Sequence, residues 1–360
     1  MDTHLDQIKI KWLRLIRTAG IGPVKFWSLL KKYKDIENAL ENLQDAYPHT
    51  KAEDEFYEHQ KRGYHLIAAF ESRYPSSLKR LNDFPPLISI AGNIDAFNRP
   101  AIGIVGARNA SLGGKKLSFH FAKDLGEKGW VIISGLARGI DEAAHKGALK
   151  TKTIAVLAGG VDHIYPPEHE SIYKQISQEG AIISEMPLGT TPSSFLFPRR
   201  NRLIAALSQG IVVVEAAYKS GSLITAEYAL ELGIDVFAVP GSPLDPRCRG
   251  SNYLLRQGAI LVQSAADILE TIPTIPNQTE IKETNVRQES YASDVHKHSL
   301  DIKKQILEDL TTTPMLIENL LDNYNRPLGE MMSLLAELEL KGLIIRHPGN
   351  SVSLVLLEPQ

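Results

Sequence analysis

The stretch FLFPRRNR, from Phe195 to Arg202, concentrates three arginines and two phenylalanines with no acid among them. Arginine offers a planar fork for phosphate oxygens, and an aromatic ring offers a face on which a base can stack. The stretch comes just before the apolar-periodic run Leu203–Leu207, so we expect it at a helix start, where free N–H groups also favour anions. The alternative is that Phe195 and Phe197 lie in the core while the arginines form a solvated or ion-paired surface turn.

Composition limits what this cluster can do. The 360-residue chain has a formal net charge of −2, so a nucleic-acid site has to be a local patch and not a generally basic surface. The single cysteine, Cys248, excludes an internal disulfide and any CxxC motif. The N-terminus lacks an apolar signal segment, and no apolar run approaches about 20 residues. These features predict a cytoplasmic protein that has no membrane span.

The pattern of apolar residues predicts three folded regions. Residues 1–70 read as helical, and residues 71–271 alternate short apolar runs with helix-length segments, which predicts an α/β, Rossmann-like, doubly wound and mostly parallel sheet. Residues 272–298 are polar and predict a flexible linker. Residues 299–360 predict three helices and a hairpin turning at Pro348-Gly349-Asn350, the pattern of a winged helix.

The turn between the first two predicted helices contains Gly20, Gly22 and Pro23. Such a turn is typical of a helix-hairpin-helix or SAM-like element, whose amides can contact a DNA phosphate. It is equally the kind of turn that lets two helices pack closely, and the residues alone favour this second interpretation.

Polar, glycine-bearing loops follow nearly every predicted strand. The carboxyl ends of parallel strands form one edge of the sheet, where ligands usually bind. Glycine permits close backbone approach, and hydroxyls with amides cradle phosphates. We therefore predict that several loops converge on a phosphate backbone. The residues of interest in these loops are Arg108, Gly113, Gly114, Ser134, Gly135, Arg138, Gly139, Asp141, Lys219, Ser220, Gly221, Ser222 and Thr225.

Catalytic and metal motifs fit poorly, so we predict no catalytic residues, no cofactor and no metal. Gly103 and Gly106 have the wrong spacing for a dinucleotide fingerprint, and Lys116 stands where a P-loop needs Ser or Thr. The acids and histidines between Asp162 and His169 favour turn and cap contacts over metal ligation. Asp141 and His145 could form an acid/base pair, but a helix-start Asp beside a surface His is the commoner arrangement.

Eight motifs in a fixed order resemble the DprA/Smf family, the DNA-processing protein A of bacterial transformation. The motifs are VGAR (105–108), SGLARGID (134–141), DxxYPPEH (162–169), SEMPLG (184–189), FPRRNRLIAALS (197–208), VVVEA…SGSLITA (212–226), VFAVPG (236–241) and GSNYLLRQGA (250–259).

The resemblance implies a non-catalytic recombination mediator of natural transformation. Members of that family bind and protect incoming single-stranded DNA through a basic pocket, load the RecA recombinase and displace single-strand-binding protein, and they form homodimers. The main alternative is an enzyme of the phosphoribohydrolase type on a Rossmann-like fold. Val214–Ala217 lacks the proline and paired glycines that such an enzyme has in its phosphate loop.

The resemblance also implies a set of residues that bind single-stranded DNA. These residues are Arg108, Gly135, Arg138, Gly139, Phe197, Arg199, Arg200, Asn201, Arg202, Lys219, Ser220, Gly221, Ser222 and Thr225. Two positions depart from the family pattern. Ala158 stands where a glycine is usual, and His169 stands where an asparagine is common, so the Asp162 loop is left out of the predicted site.

The third helix of the predicted winged helix is acidic. It carries Glu330, Glu337 and Glu339 against Lys341 alone. A recognition helix that faces duplex phosphates should be basic. We therefore expect this region to contact protein, through dimerisation or a partner, and the reading as a duplex-binding regulator is disfavoured.

Overall fold

The protein is described by a computed structural model that covers residues 3–272, 299–324, 326–347 and 350–355. The described chain divides into two compact units, one ending at Ala265 and the other starting at Ala266. The predicted linker lies outside the described residues apart from Ile272, so it stays a prediction. Among the described helices, none is both long enough and apolar enough to cross a membrane.

The first unit begins with helices that pack around an aromatic cluster. Trp12 lies 5.0 Å from Phe26 and 5.6 Å from Trp27 between ring centroids, which are favourable distances for aromatic pairs. Pro23 starts the second helix, where its missing N–H costs nothing. The helices are α1 (Thr3–Arg17), α2 (Pro23–Tyr33), α3 (Ile36–Glu41) and α4 (His49–Lys61).

The helical region is shorter than the predicted 1–70, because the sheet takes its first strand from residues 65–68. Ile67 and Ala68 of that strand are fully buried. Two side chains tie the helices to the sheet region. Lys9 of α1 donates to the Leu66 carbonyl at 3.2 Å and lies 3.0 Å from the Glu71 carboxylate. The Trp27 indole donates to the Phe84 carbonyl at 2.8 Å.

A mixed, mostly parallel sheet forms the centre of the first unit, which confirms the predicted fold class. Its strands are β1 (His65–Ala68), β2 (Leu87–Gly92), β3 (Ala101–Val105), β4 (Val131–Ser134), β5 (Thr153–Val156), β6 (Ala181–Ser184), β7 (Gly210–Val213), β8 (Asp235–Ala238) and β9 (Ile260–Leu261). Their order in the sheet is β1-β2-β6-β5-β4-β3-β7-β8-β9. β3 to β9 pair in parallel, and the pairs β1–β2 and β2–β6 are antiparallel.

The sheet core is almost entirely apolar because helices cover it. All five residues of β3 and all four of β4 are buried, as expected for strands covered on both faces. The helices of this region are α5 (Leu112–Glu127), α6 (Ile140–Ala148), α7 (Glu170–Glu179), α8 (Leu196–Leu207), α9 (Gly221–Glu231) and α10 (Arg249–Arg256). The second unit begins within α11 (Ala265–Thr271).

The strand order reverses between β3 and β7. From β3 the chain builds outward through β4, β5 and β6, and it then returns to add β7 on the other side of β3. Loops from the two halves therefore diverge above β3 and β7 and leave a crevice between them. The register places Val105 beside Val213 at the carboxyl ends of these strands. The fold thus predicts a ligand site directly above this pair.

From residue 299 onward, the described part of the second unit forms three helices and a small antiparallel sheet, which confirms the predicted winged helix. Its elements are α12 (Ser299–Asp309), β10 (Met315–Leu316), α13 (Ile317–Tyr324), α14 (Leu328–Leu340), β11 (Ile344–His347) and β12 (Ser351–Leu354). Ile306, Leu320 and Leu335 are fully buried at its core. Of the predicted hairpin turn, Pro348 and Gly349 lie outside the described residues, and Asn350 has a φ of 58°.

We expect Lys9→Met to lower the free energy of unfolding by ~2 kcal/mol, because it removes the buried cation beside Glu71 and the donor to the Leu66 carbonyl, while Glu71 keeps the more exposed Arg73 at 3.4 Å. Lys11→Met is the matched control on the same helix, since Lys11 pairs with Glu37 at the surface and should change stability by less than about 1 kcal/mol. Urea denaturation measures both. Equal effects would mean that Lys9 does not fasten α1 to the sheet region.

Candidate nucleic-acid interface

A cleft of about 780 Å³ opens above the carboxyl ends of β3 and β7. It lies at the point where the strand order reverses, which is where open parallel sheets usually bind ligands. Loops from both halves of the sheet and the start of α8 line it. The predicted site residues among its walls are Arg108, Phe197, Arg200, Asn201, Ser220, Gly221, Ser222 and Thr225.

The arginine cluster forms the first two turns of α8. The helix therefore begins at Leu196, before the apolar run Leu203–Leu207 that indicated it. Pro198 fits there because the first turn of a helix has N–H groups without intrahelical partners. Phe197, Arg200, Asn201 and Ile204 line the cleft, and they follow the i, i+3, i+4, i+7 spacing of one helix face. The other two arginines of the cluster do not line the cleft.

Arg108 is the exposed cation of the cleft. Its guanidinium lies over the Phe197 ring at 4.8 Å from the centroid, within cation–π distance. Phe197 is half-buried, and the Tyr165 ring lies 5.9 Å from it. The arrangement places a positive charge beside aromatic surface, which is a combination that suits a phosphate next to a base.

Arg200 is buried and fastens loops together. Its Nη1 donates to the Gly135 carbonyl, which follows β4, and to the Val156 carbonyl at the end of β5 at 2.6 Å. Its Nε donates to Asn201 Oδ1 at 3.0 Å. Burial lowers the pKa of Arg200 to about 10, with Asp141 opposing and Arg108 adding to the effect. The residue stays charged at neutral pH and supports the cleft floor.

The start of α9 forms another wall. Ser220 stands at its N-cap without a side-chain cap bond, and the Ser220 and Ser222 hydroxyls lie 2.7 Å apart. Asn201 of α8 donates to the Gly221 carbonyl at 3.0 Å and so holds this helix start against α8. Thr225 is buried one turn further on. The first N–H groups of a helix and hydroxyls of this kind are donors that can bind an anion.

Two predicted glycines allow the loops to meet. A Cβ at Gly135 would lie 1.9 Å from Arg200 Nη1. Gly139 has a φ of +79°, and a Cβ there would lie 2.4 Å from the Ala107 carbonyl oxygen. A side chain at either position would displace the loop that carries Arg108 or the guanidinium below it. Both glycines therefore shape the cleft without needing to contact a ligand.

The remaining predicted cations lie outside the cleft. Arg138 is exposed and paired with Glu168. Lys219 is exposed at a φ of 65°, in the loop before α9, with its ammonium 5.8 Å from the Tyr218 ring. Arg199 is 44% exposed, on the side of α8 away from the cleft. All three lie at the surface, and a ligand that extends beyond the cleft would have to compete for Arg138 with Glu168 and for Arg199 with Glu185.

Arg202 is bound internally. It is buried, its Nη2 donates to Glu185 at 2.5 Å, and its Nε lies 3.5 Å from Asp83. Burial raises the pKa of Glu185, and Arg202 opposes that rise. The prediction that Arg202 binds single-stranded DNA is therefore corrected, because its guanidinium is buried in an ion pair. Of the other two arginines of the cluster, Arg199 is exposed and Arg200 supports the cleft floor.

Several residues of the cleft were missed by sequence reasoning. Tyr165, Asn109 and Arg247 also line it. Glu215, which follows β7, accepts from the Ser111 N–H at 2.9 Å and from the Ser111 hydroxyl at 2.6 Å, so it fixes the loop beside Arg108. The sequence did carry one indication of this role, because Glu215 lies two residues after the end of a parallel strand. Tyr165 lies in the DxxYPPEH loop that was set aside.

His145 is buried, which corrects the expectation of a surface histidine. Its Nε2 accepts from the Leu136 N–H at 3.3 Å, and its Nδ1 donates to the Thr153 hydroxyl at 2.7 Å, since that hydroxyl itself donates to the Ile132 carbonyl. Burial lowers the pKa of His145 to about 3. The nearby carboxylate of Asp141 instead accepts from the Gly135 N–H at 3.1 Å. The pair is structural.

His169 is charged, in contrast. Its Nδ1 donates to the Leu136 carbonyl at 3.0 Å, and its Nε2 lies 3.2 Å from the Glu142 carboxylate. Both partners can only accept, so both ring nitrogens carry protons. Burial is the largest single effect and would lower the pKa of His169, but the bonds to Glu142 and to the Leu136 carbonyl together with the nearby carboxylates outweigh it and raise the pKa. The same bond lowers the pKa of Glu142 to about 2.

Each of the three folded regions of the chain matches a family model. Residues 65–273 match the model described as DNA recombination-mediator protein A. The chain belongs to the DNA recombination-mediator protein A family. Residues 6–55 match the DprA-like N-terminal HHH domain, and residues 297–350 match the DprA winged helix domain. The resemblance found in the sequence motifs is thereby confirmed.

Relatives in this recombination-mediator family are similar over most of the chain. The chain is 41% identical to DNA processing protein DprA of Bacillus subtilis over 66% of its length and 80% of the relative. It is 35% identical to Protein Smf of Escherichia coli over 86% of its length and 82% of the relative. Both alignments cover well over two thirds of the relative, so the similarity extends beyond single motifs.

Two solved structures of the same family show the fold. DprA from Streptococcus pneumoniae matches with a TM-score of 0.65 at 32% identity, covering 74% of this chain and 99% of that one. DprA from Helicobacter pylori, whose structure is described as showing a single-stranded DNA binding mode, matches with a TM-score of 0.54 at 28% identity, covering 58% and 94%.

The His169–Glu142 pair makes stability depend on pH. His169 has a raised pKa, so its contribution is complete below its unfolded value of 6.5 and is lost as pH rises through the folded value. Glu142 contributes above its unfolded value of 4.5 and loses that contribution as pH falls toward about 2. The difference in unfolding free energy between wild type and His169→Gln should therefore be largest between pH 4.5 and 6.5.

Urea denaturation of the wild type and His169→Gln across this range measures that difference. We expect it to shrink at alkaline pH, because the wild type then loses the ion pair. A difference that is constant from acid to alkaline pH would show that His169 is neutral in the folded protein. His145→Gln is the contrast, since a histidine with a lowered pKa destabilises the fold as pH falls.

Proposed function

We propose that this protein is a recombination mediator that holds single-stranded DNA in the cleft above β3 and β7. The observation that carries the proposal is the juxtaposition of exposed Arg108, the half-buried Phe197 ring and the uncapped start of α9 around one cleft. The chain has a formal charge of −2, so cationic groups are not in excess over the protein as a whole. Their presence at this cleft is therefore a local feature. Its family membership supports the same role.

The cleft favours a single strand over a duplex. Phe197 and Tyr165 can stack only on a base whose face is free, and duplex DNA hides those faces. The winged helix does not offer a competing duplex site. Glu337 of α14 is paired with Lys303 and Lys341, so that two cations near this helix are already neutralised. Phosphates would meet an acidic helix instead of a basic one.

The acids near the cleft have structural partners, which supports a binding role without catalysis. Asp141 accepts backbone N–H groups, and Glu215 accepts from Ser111. A phosphoribohydrolase would need a carboxylate free to act on the substrate. Release of free base from purine nucleoside monophosphates would show that this interpretation is wrong.

We infer further that the protein acts with the RecA recombinase during natural transformation. In that role it protects incoming single strands, displaces single-strand-binding protein and promotes RecA assembly. A homodimer would cover the sheet edge at β9, where Leu261 is half exposed. Sedimentation velocity measures whether the protein is a monomer or a dimer in solution. RecA filament growth on strands coated with single-strand-binding protein tests the loading, and equal growth rates with and without this protein would contradict it.

We expect Arg108→Ala to weaken single-stranded DNA binding ~10–100-fold, because it removes a charge-assisted bond to phosphate. The slope of log affinity against log salt should fall by ~0.7, the value for one phosphate contact to a single strand. Fluorescence anisotropy with an oligothymidylate measures both. Lys150→Ala is the control, since Lys150 is exposed at the opposite edge of the sheet, just before β5. If Arg108→Ala binds like the control, the site is wrong.

The Arg200→Lys variant tests whether Arg200 supports the cleft or contacts the DNA directly. A lysine keeps the charge but has a single nitrogen, so it cannot donate to Gly135 and Val156 and at the same time replace the Nε bond to Asn201. We expect weaker binding together with a lower melting temperature and an unchanged salt slope. A reduced salt slope with full stability would instead place Arg200 in direct contact with phosphate.

A further inference from the structure

An exposed pair of tyrosines lies just outside the cleft. Tyr218 is 61% exposed and Tyr253 of α10 is 44% exposed, and their ring centroids lie 6.1 Å apart at an interplanar angle of 82°. This is an edge-to-face pair, in which only one of the two rings uses its face. Ring faces therefore remain open to solvent, and an open aromatic face is a surface on which an unpaired base can stack.

The turn that carries Tyr218 forms part of the cleft wall. Ala217 and Ser220 line the cleft, and the Ser220 N–H donates to the Ala217 carbonyl at 3.1 Å, which closes a tight turn. Tyr218 and Lys219 are the two corner residues of this turn, and both are exposed without lining the cleft. The thickness of one turn therefore separates the tyrosine pair from the cleft.

Helix α10 begins against the same turn. The Gly250 N–H donates to the Ala216 carbonyl at 2.7 Å, and a Cβ at Gly250 would lie 2.7 Å from the carbonyl oxygen of Ala217. Glycine is needed for this close approach. Arg247, just before α10, lines the cleft. The start of α10 therefore continues the wall of the cleft outward to the tyrosine pair.

Three exposed cations surround the pair. Arg249 and Arg256 share one face of α10 with Tyr253, because the three residues have the i, i+4, i+7 spacing of a helix. The Lys219 ammonium lies 5.8 Å from the Tyr218 ring. Within the part of the chain that the structure describes, none of these cations forms an ion pair. We call these five residues the tyrosine face.

The sequence around the tyrosine face contains no acid that could neutralise it. Residues 246–266 include three arginines and no Asp or Glu, and residues 216–226 include one lysine and no Asp or Glu. The acid just before the first of these segments, Asp245, is bound by Arg247 at 3.0 Å. In a chain with a formal charge of −2, this is a local concentration of positive charge.

We propose that a single strand held in the cleft continues over the turn at Tyr218 and binds the tyrosine face. This extension rests on the proposed function. Bases stack on the exposed rings, while Lys219, Arg249 and Arg256 bind phosphates. From Arg249 to Arg256 the helix rises ~10 Å, which equals about three phosphate spacings of a strand. The tyrosine face therefore adds about three nucleotides to the segment that the cleft holds.

Exposure and charge favour a single strand over other occupants. Duplex DNA hides the base faces that the rings would contact. A second copy of this chain, related by a two-fold axis through the tyrosine face, would bring Arg249 and Arg256 against the same cations of its partner. A single strand uses the cations and the rings together, and the strand already lies one turn away.

A series of oligothymidylates of increasing length tests the proposal on the full chain. Fluorescence anisotropy measures the affinity as the strand is lengthened by single nucleotides. We expect Tyr253→Ala to leave the affinity for strands that fill only the cleft unchanged. Strands about three nucleotides longer should bind ~10-fold more weakly, because a stacking surface is lost. Equal affinities of the wild type and Tyr253→Ala at every length would overturn the proposal.

Tyr57→Ala is the matched control. Tyr57 of α4 is 54% exposed and forms an edge-to-face pair with Phe56 at 5.4 Å, so it resembles Tyr253 in exposure and in having an aromatic neighbour. It belongs to the N-terminal helices and not to the sheet edge above β3 and β7. We expect Tyr57→Ala to bind strands of every length like the wild type. A loss equal to that of Tyr253→Ala would contradict the assignment to the tyrosine face.

Lys219→Gly removes a cation of the tyrosine face without straining the fold. Lys219 has a φ of 65°, a conformation that glycine adopts readily, so the melting temperature should not fall. For the longer strands, the slope of log affinity against log salt should decrease by ~0.7, the value for one phosphate contact. An unchanged slope in a variant of unchanged stability would count against the proposed path.

The outcomes separate this proposal from the proposed function. If Arg108→Ala weakens binding at every length and Tyr253→Ala weakens it at none, the cleft binds DNA and the tyrosine face does not. If sedimentation velocity shows that Tyr253→Ala dissociates a dimer of the wild type, the tyrosine face is a subunit contact and the proposal is wrong. If Arg108→Ala has no effect at any length, the proposed function itself fails.

Discussion

The bonds of Arg200 to the carbonyls of Gly135 and Val156 hold the ligand-facing edge of the sheet together. They join the ends of β4 and β5 to α8, while Asn201, next in sequence, joins α8 to α9. A buried guanidinium is expensive to desolvate, so it is retained only with good hydrogen-bond geometry. Here it donates to the carbonyls of Gly135 and Val156, where β4 and β5 end. The cleft therefore depends on an arginine that a ligand need not touch.

Other groups around the cleft have the same supporting role. Glu215 fixes the loop after β3 through Ser111, and Gly139 allows the loop after β4 to pack on the backbone of Ala107. His169 ties that loop to α6 through Leu136 and Glu142. Because these contacts come from different strands, the loops are positioned by the sheet order and not by local sequence. Such prior positioning lowers the entropy lost when a flexible strand binds.

The sequence was informative about fold because strand burial and helix periodicity are local. Runs such as AIGIV and VIIS predicted buried parallel strands, and the three-helix pattern after residue 299 predicted the winged helix. β1 was missed because its four residues follow a helix directly and pair antiparallel at the sheet edge. The sequence predicted the general location of the site, because loops that follow parallel strands meet at the same edge of the sheet.

The orientation of individual side chains could not be predicted in the same way. In FLFPRRNR the three arginines are alike in type, and only the register of α8 decides which of them face the cleft. Arg202 meets Asp83 and Glu185, which are distant in sequence, so no local pattern indicated its burial. Tyr165 entered the cleft from a loop set aside for its departures from the family pattern. Each miss came from a contact between separate segments.

The internal ion pair of Arg202 also affects how far a bound polyanion can spread over the protein surface. Since Arg202 is paired with acids and Arg200 is buried, Arg199 is the arginine of the cluster that carries its charge to the surface of α8. The surface as a whole is slightly negative by formal charge. A polyanion that leaves the cleft and the tyrosine face therefore gains little by spreading over the rest of the protein. If the cleft holds a single strand as proposed, the bound segment is short and the remainder of the strand is open to other proteins.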